Sequence, residues 1–138
     1  MPVINDPIVR GWIIRLFREG RADLSASYDI EEPFISANII IQSMKKLQKA
    51  IFFCLGDPES IQELVLYNMD STNPLYELLS TLQKIIEYWI QNVLSFKDIN
   101  ITEILLDAKI FFTFTKIFIT NFIEDKIPPK FNIFPEKF

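Results

Sequence analysis

Residues 101–126 read ITEILLDAKIFFTFTKIFITNFIEDK, and this stretch decides the fold class. On a helix of about 3.6 residues per turn, its polar side chains Lys109, Thr113, Lys116, Thr120 and Glu124 recur at steps of four, three, four and four. They form one narrow stripe. The rest of the circumference carries Ile104, Leu105, Leu106, Ile110, Phe111, Phe112, Phe114, Ile117, Phe118, Ile119, Phe122 and Ile123. That arc is much wider than the roughly 100° apolar face of an ordinary surface helix. A helix apolar on nearly all sides has to be covered on nearly all sides, by its own chain, a second copy, a partner or lipid. The spacing predicts a helix over 102–125, N-capped by Thr102, standing as the central or interface helix of an all-α fold.

Lipid is the weakest of these covers. Glu103, Asp107, Lys109 and Lys116 lie inside the segment, and each such charge near a bilayer centre costs roughly 2.5–3.5 kcal/mol on insertion scales. No transmembrane segment is expected, and two lysines make a poor basic face for peripheral attachment.

Working outward, the remaining helices announce themselves by their starts. Asp6-Pro7, Asp57-Pro58 and Asn73-Pro74 each pair an N-cap acceptor with a proline whose missing N–H costs nothing in a first turn. After Pro7, Val9, Trp12, Ile13, Leu16 and Phe17 make a complete apolar stripe, and Gly20 reads as a C-terminal stop. Residues 21–33 lack sustained periodicity and read as a loop whose acids fold back on the arginines. Pro33 opens a helix to about Leu55, with Ile40, Met44, Leu47, Ile51 and Cys54 along one stripe and Gly56 ending it. A short helix is predicted over 58–69. A longer one follows over 74–96, carried by Leu75, Leu78, Leu79, Leu82, Ile86, Trp89, Ile90 and Val93. Pro128-Pro129 ends the last helix and leaves an extended tail.

The expected architecture is an all-α single-domain bundle of about five helices in residues 1–126, followed by a Pro/Phe-containing tail over 127–138. A chain of 138 residues is one domain of common size. Thirteen phenylalanines against three glycines favour helices over tight hairpins.

Charge and chemistry narrow the function. Net charge is −4, yet residues 1–21 hold all four arginines against two acids, while residues 57–107 hold nine acids against two lysines. Nucleic acid is disfavoured as a partner by this balance, because phosphate contacts need concentrated Lys and Arg. Histidine is absent, which removes the commonest general base and transition-metal ligand. Cys54 is the single cysteine; it excludes an internal disulfide and reads as a small buried hydrophobe. The acidic pairs Glu59/Glu63 and Glu103/Asp107 lack the Glu-x-x-His pattern of helical di-metal sites. No phosphate-binding or nucleophile-elbow motif occurs. No leader with an A-x-A-like cleavage site is seen, so a cytoplasmic location is expected.

These observations predict a non-enzymatic protein–protein interaction module, an adaptor or accessory subunit, with no cofactor and no metal. The expected partner-binding residues are Arg10, Arg15, Arg18 and Arg21 on the first helix, Phe111, Phe114 and Phe118 on the last, and Phe131 and Phe134 in the tail. A homodimer is expected, since a second copy is the simplest cover for the last helix. The alternatives are a helical subunit of a nucleic-acid complex, using Arg10, Arg15, Arg18, Lys45, Lys46 and Lys49, or a carrier of an apolar ligand held among the phenylalanines.

Overall fold

The computed structural model describes residues 4–67 and 73–123. Within them lie five helices and no strand: α1 (Pro7–Ser27), α2 (Pro33–Leu55), α3 (Pro58–Tyr67), α4 (Pro74–Leu94) and α5 (Ile101–Phe122). The fold is an all-α bundle. Each helix start is fixed by a side chain that accepts an orphan first-turn N–H. Asp6 Oδ1 accepts from Ile8 N at 2.9 Å, Asp57 Oδ2 from Ser60 N at 3.2 Å, and Asn73 Oδ1 from Leu75 N at 2.9 Å. Glu32 does the same for α2, accepting from Ile35 N at 2.7 Å. For α5 the cap is Asn100, whose Oδ1 accepts from Glu103 N at 3.2 Å, and not Thr102.

The largest departure from expectation is the end of α1. The helix runs through Gly20 to Ser27, absorbing the first half of the predicted loop. Its buried stripe continues as Ile13, Leu16, Phe17, Gly20, Leu24 and Ser27, with small residues where the sequence pattern faded. Gly20 lies against α2: a Cβ built there would sit 2.9 Å from both Cγ and Cδ2 of Leu47. Ser43 Oγ donates to Gly20 O at 2.6 Å, and Ser36 Oγ donates to Ser27 O at 3.2 Å. Gly20 therefore serves close helix approach rather than termination. The predicted return of acids to the arginines is replaced too, because Asp23 Oδ2 meets Lys46 Nζ of α2 at 2.8 Å.

α2 touches all four other helices and occupies the centre. It buries Ala37, Ile40, Ile41, Met44, Leu47, Ala50, Ile51 and Phe52. α5 lies along one side of it, burying Ile104, Ala108, Phe111, Phe112, Thr115, Ile119 and Phe122. Thr115 Oγ1 donates to Phe111 O at 2.6 Å with Leu47 O of α2 at 3.3 Å, so this polar side chain is satisfied inside the core. Phe112 meets Phe17 of α1, ring centroids 5.0 Å apart. α4 is clasped to α5 by Trp89 Nε1, which donates to Asp107 Oδ2 at 2.7 Å.

α4 ends in a double hydrogen bond, Phe96 N to Val93 O and Lys97 N to Asn92 O, both at 3.2 Å. This pattern places Phe96 in the left-handed region at φ 52°, a position that glycine usually fills. Phe96 is 81% exposed and touches Phe34 at a centroid distance of 5.9 Å. A left-handed L-residue costs about 1–2 kcal/mol, more than one exposed aromatic contact returns. Phe96→Gly is therefore expected to stabilise the protein by about 1 kcal/mol, a rise in Tm of about 3 °C. A thermal melt that drops on this substitution would mean that the Phe34 contact outweighs the strain.

Candidate functional site

Two surfaces carry the residues singled out above, and the packing of the helices adds a third. On α1, Arg18 is exposed while Arg10 and Arg21 are half-buried. Arg15 is engaged: its Nε lies 3.3 Å from Glu19 Oε1, and its guanidinium stands 5.2 Å over the Trp12 ring. Trp12 itself is 44% exposed and stacks on Phe53 of α2 with rings 6.4 Å apart and nearly parallel. The aromatic pair gives the arginine face a rigid footing.

On α5 the expected trio divides. Phe111 is fully buried, so it is a core residue and no partner of the folded chain can touch it. Phe114 and Phe118 are half-buried against the core, and Phe118 stacks on Phe122 at 6.0 Å. The apolar side chains that reach solvent are Leu106, Ile110 and Ile117, exposed by 57%, 40% and 46%. A shallow depression of about 220 Å³ lies among Leu106, Lys109, Ile110, Thr113 and Phe114. The sequence held this signal. At about 100° per residue, Leu106, Ile110 and Ile117 lie within roughly 60° of Thr113, whereas Phe111 lies nearly opposite the polar stripe. Phe131 and Phe134 fall outside the described residues.

The third surface is one the sequence reading did not single out. α2 and α4 run antiparallel, and a groove of about 560 Å³ opens between them and α3. Its floor is Phe52, Ile86 and Ile90, its α2 wall carries Lys45 and Lys49, and its α3 wall carries Glu59 and Glu63. Three glutamines meet inside. Gln83 Oε1 accepts from Gln48 Nε2 at 2.8 Å and from Gln62 Nε2 at 3.1 Å, while Gln83 Nε2 donates to Glu87 Oε1 at 3.1 Å. Gln48 and Gln83 are 6% and 9% exposed. A smaller hollow of about 140 Å³ extends the groove toward the start of α2, sharing Lys45 and Ile90 and adding Ile41, Val93 and Leu94. Glutamine at the core-facing positions 48 and 83 was the available signal, since buried amides need partners arranged in advance.

The single thiol of the chain is not poised for covalent chemistry. Burial pushes the Cys54 thiol up to about 12, so at neutral pH it is protonated and a poor nucleophile. Among the described residues no group of three or more His, Cys, Asp or Glu is placed to hold a metal ion, and no described helix is long and apolar enough to cross a membrane. No family model matches the chain, and no curated protein or solved structure matches it.

Proposed function

We propose that the chain is a non-enzymatic interaction module, an accessory or adaptor subunit, that pairs with a second copy through the outer face of α5. The observation carrying this is the row Leu106, Ile110 and Ile117, exposed together on the outer face of α5. The row is self-complementary. Antiparallel pairing about a two-fold axis between positions 111 and 112 sets Leu106 against Ile117 of the second copy and Ile110 against its Thr113. The same register opposes the two helix dipoles. Parallel pairing would set like charges together. From Leu106 to Ile117 the contact spans about 17 Å of helix, shorter than a standard interface needs, so the dimer is concentration-dependent.

Sedimentation across the micromolar range checks this. The mass is expected to rise from one chain to two, and the double variant Ile110→Glu/Ile117→Glu to remain a monomer with unchanged helicity. A wild-type chain that stays monomeric throughout overturns the α5 pairing.

The arginine face supports a second contact, with an acidic protein surface. Long-range attraction of this kind raises the on-rate and is weakened by salt. Protein is favoured over nucleic acid because the bases are divided. Lys46 is tied to Asp23, and Lys45 and Lys49 line a groove whose other wall is acidic.

A further inference from the structure

We propose that the groove between α2 and α4 receives an amphipathic helix from a protein partner, with acidic side chains along the edge that meets Lys45 and Lys49. This goes beyond self-association, and the two fail separately.

Shape is the first argument. On α2 the two hollows are lined from Asn38 to Phe52, a run of about 21 Å that is long and narrow rather than compact. Side chains line it at helical spacing from both helices, Ile41, Lys45, Gln48 and Phe52 of α2 and Gln83, Ile86, Ile90 and Val93 of α4. Two antiparallel ridges with an apolar floor are the seat that a third helix fits.

The glutamines give the second argument. Gln48 is more than nine-tenths buried, yet its Oε1 accepts no hydrogen bond from any described residue. That oxygen is not fully enclosed, and Gln48 lines the groove. An amide oxygen that reaches solvent beside a groove is an acceptor that a partner's donor can take over from water. A partner side chain such as Gln, Asn or Lys at the middle of its apolar ridge would supply one and fix the register.

Charge decides the occupant. Lys45 and Lys49 make no ion pair among the described residues, so an acidic edge is attracted to them, while the opposite edge of the helix, which passes Glu59 and Glu63, carries neutral or basic side chains. A second copy is poorly suited, because its open helix faces bring Lys109 and Lys116 on α5, or Arg10 and Arg18 on α1, against these lysines.

A displayed library of helical peptides about four turns long, selected on the full chain, tests the proposal. Binders are expected to carry Asp or Glu along one edge and to shift the side-chain amide NMR signals of Gln48 and Gln83. The variant Lys45→Glu/Lys49→Glu alters exposed residues, and its fold is checked by circular dichroism. It should lose about tenfold or more in affinity, and exchanging the peptide acids for lysine should restore binding to it. Ile110→Glu/Ile117→Glu should bind the peptide as the wild type does. The proposal is overturned if no peptide is selected, if binding survives the lysine reversal, or if the perturbed signals are those of Leu106 and Ile110. A groove that takes anilinonaphthalene sulfonate but no peptide is a small-ligand pocket, and that result overturns it as well.

Discussion

Phe111→Ala is expected to cost about 3–5 kcal/mol of stability, a large share of the 5–15 kcal/mol that holds a typical domain together. The ring is fully buried on the face of α5 that packs against α2, next to Phe112 and its contact with Phe17. Removing it takes away the transfer energy of an aromatic side chain and leaves a cavity between two rigid helices. Thr115, one turn further on, resists their collapse into it, since its Oγ1 contacts Leu47 O of α2 at 3.3 Å. Urea denaturation checks this through a lower midpoint at an unchanged slope. Phe118 is half-buried at the edge of the same helix, and Phe118→Ala should cost clearly less. If Phe111→Ala left the midpoint in place, the ring would not be packed in the core.

Gly20→Ala is expected to destabilise by about 1–3 kcal/mol, although alanine is the better helix former by about 1 kcal/mol. Overpacking wins at this position. The new methyl would stand 2.9 Å from Leu47 Cγ, which is a branch point near the backbone and cannot swing aside as a chain end can. It would also force apart the α1–α2 approach on which the 2.6 Å bond from Ser43 Oγ to Gly20 O depends. Gly11, in the same helix, has nothing within 4 Å of its added Cβ, so Gly11→Ala should stabilise by about 0.5–1 kcal/mol. The opposite signs of two identical substitutions in one helix are the diagnostic result. Combining Gly20→Ala with Leu47→Ala should cost less than the two single losses added, because the truncated leucine makes room for the methyl. Strict additivity would show that the two side chains do not compete for one space.

Local chemistry was legible because it acts over a few residues. Asp6, Asp57 and Asn73 announce their helices by themselves, since a cap and a proline satisfy or remove first-turn donors without help from the rest of the chain. The apolar stripes of α2 and α4 identify them as core helices for the same reason of short-range periodicity. Even the outward side of α5 was written in its polar stripe, because rotation about a helix axis is fixed by sequence spacing. The neighbours of that stripe, Leu106, Ile110 and Ile117, could have been chosen in place of Phe111 on that ground.

What a residue meets across the bundle is another matter, since it depends on positions far apart in the chain. Gly20 reads as a stop until Leu47 and Ser43 are seen beside it, and then it is the point of closest approach between α1 and α2. Gln48, Gln62 and Gln83 read as unrelated amides on three helices. Only the packing of α2, α3 and α4 joins them at one oxygen and opens a groove around them. The centre of the fold belongs to α2 and not to the most apolar helix, because centrality is set by how many neighbours a helix can touch at once. Sequence alone determined that this protein is helical, where four of its five helices begin and which stripes of α2 and α4 turn inward. Tertiary structure decided which helix lies inside, where two helices come close and where two stand apart, because those distances are set by side chains that share no local stretch of chain.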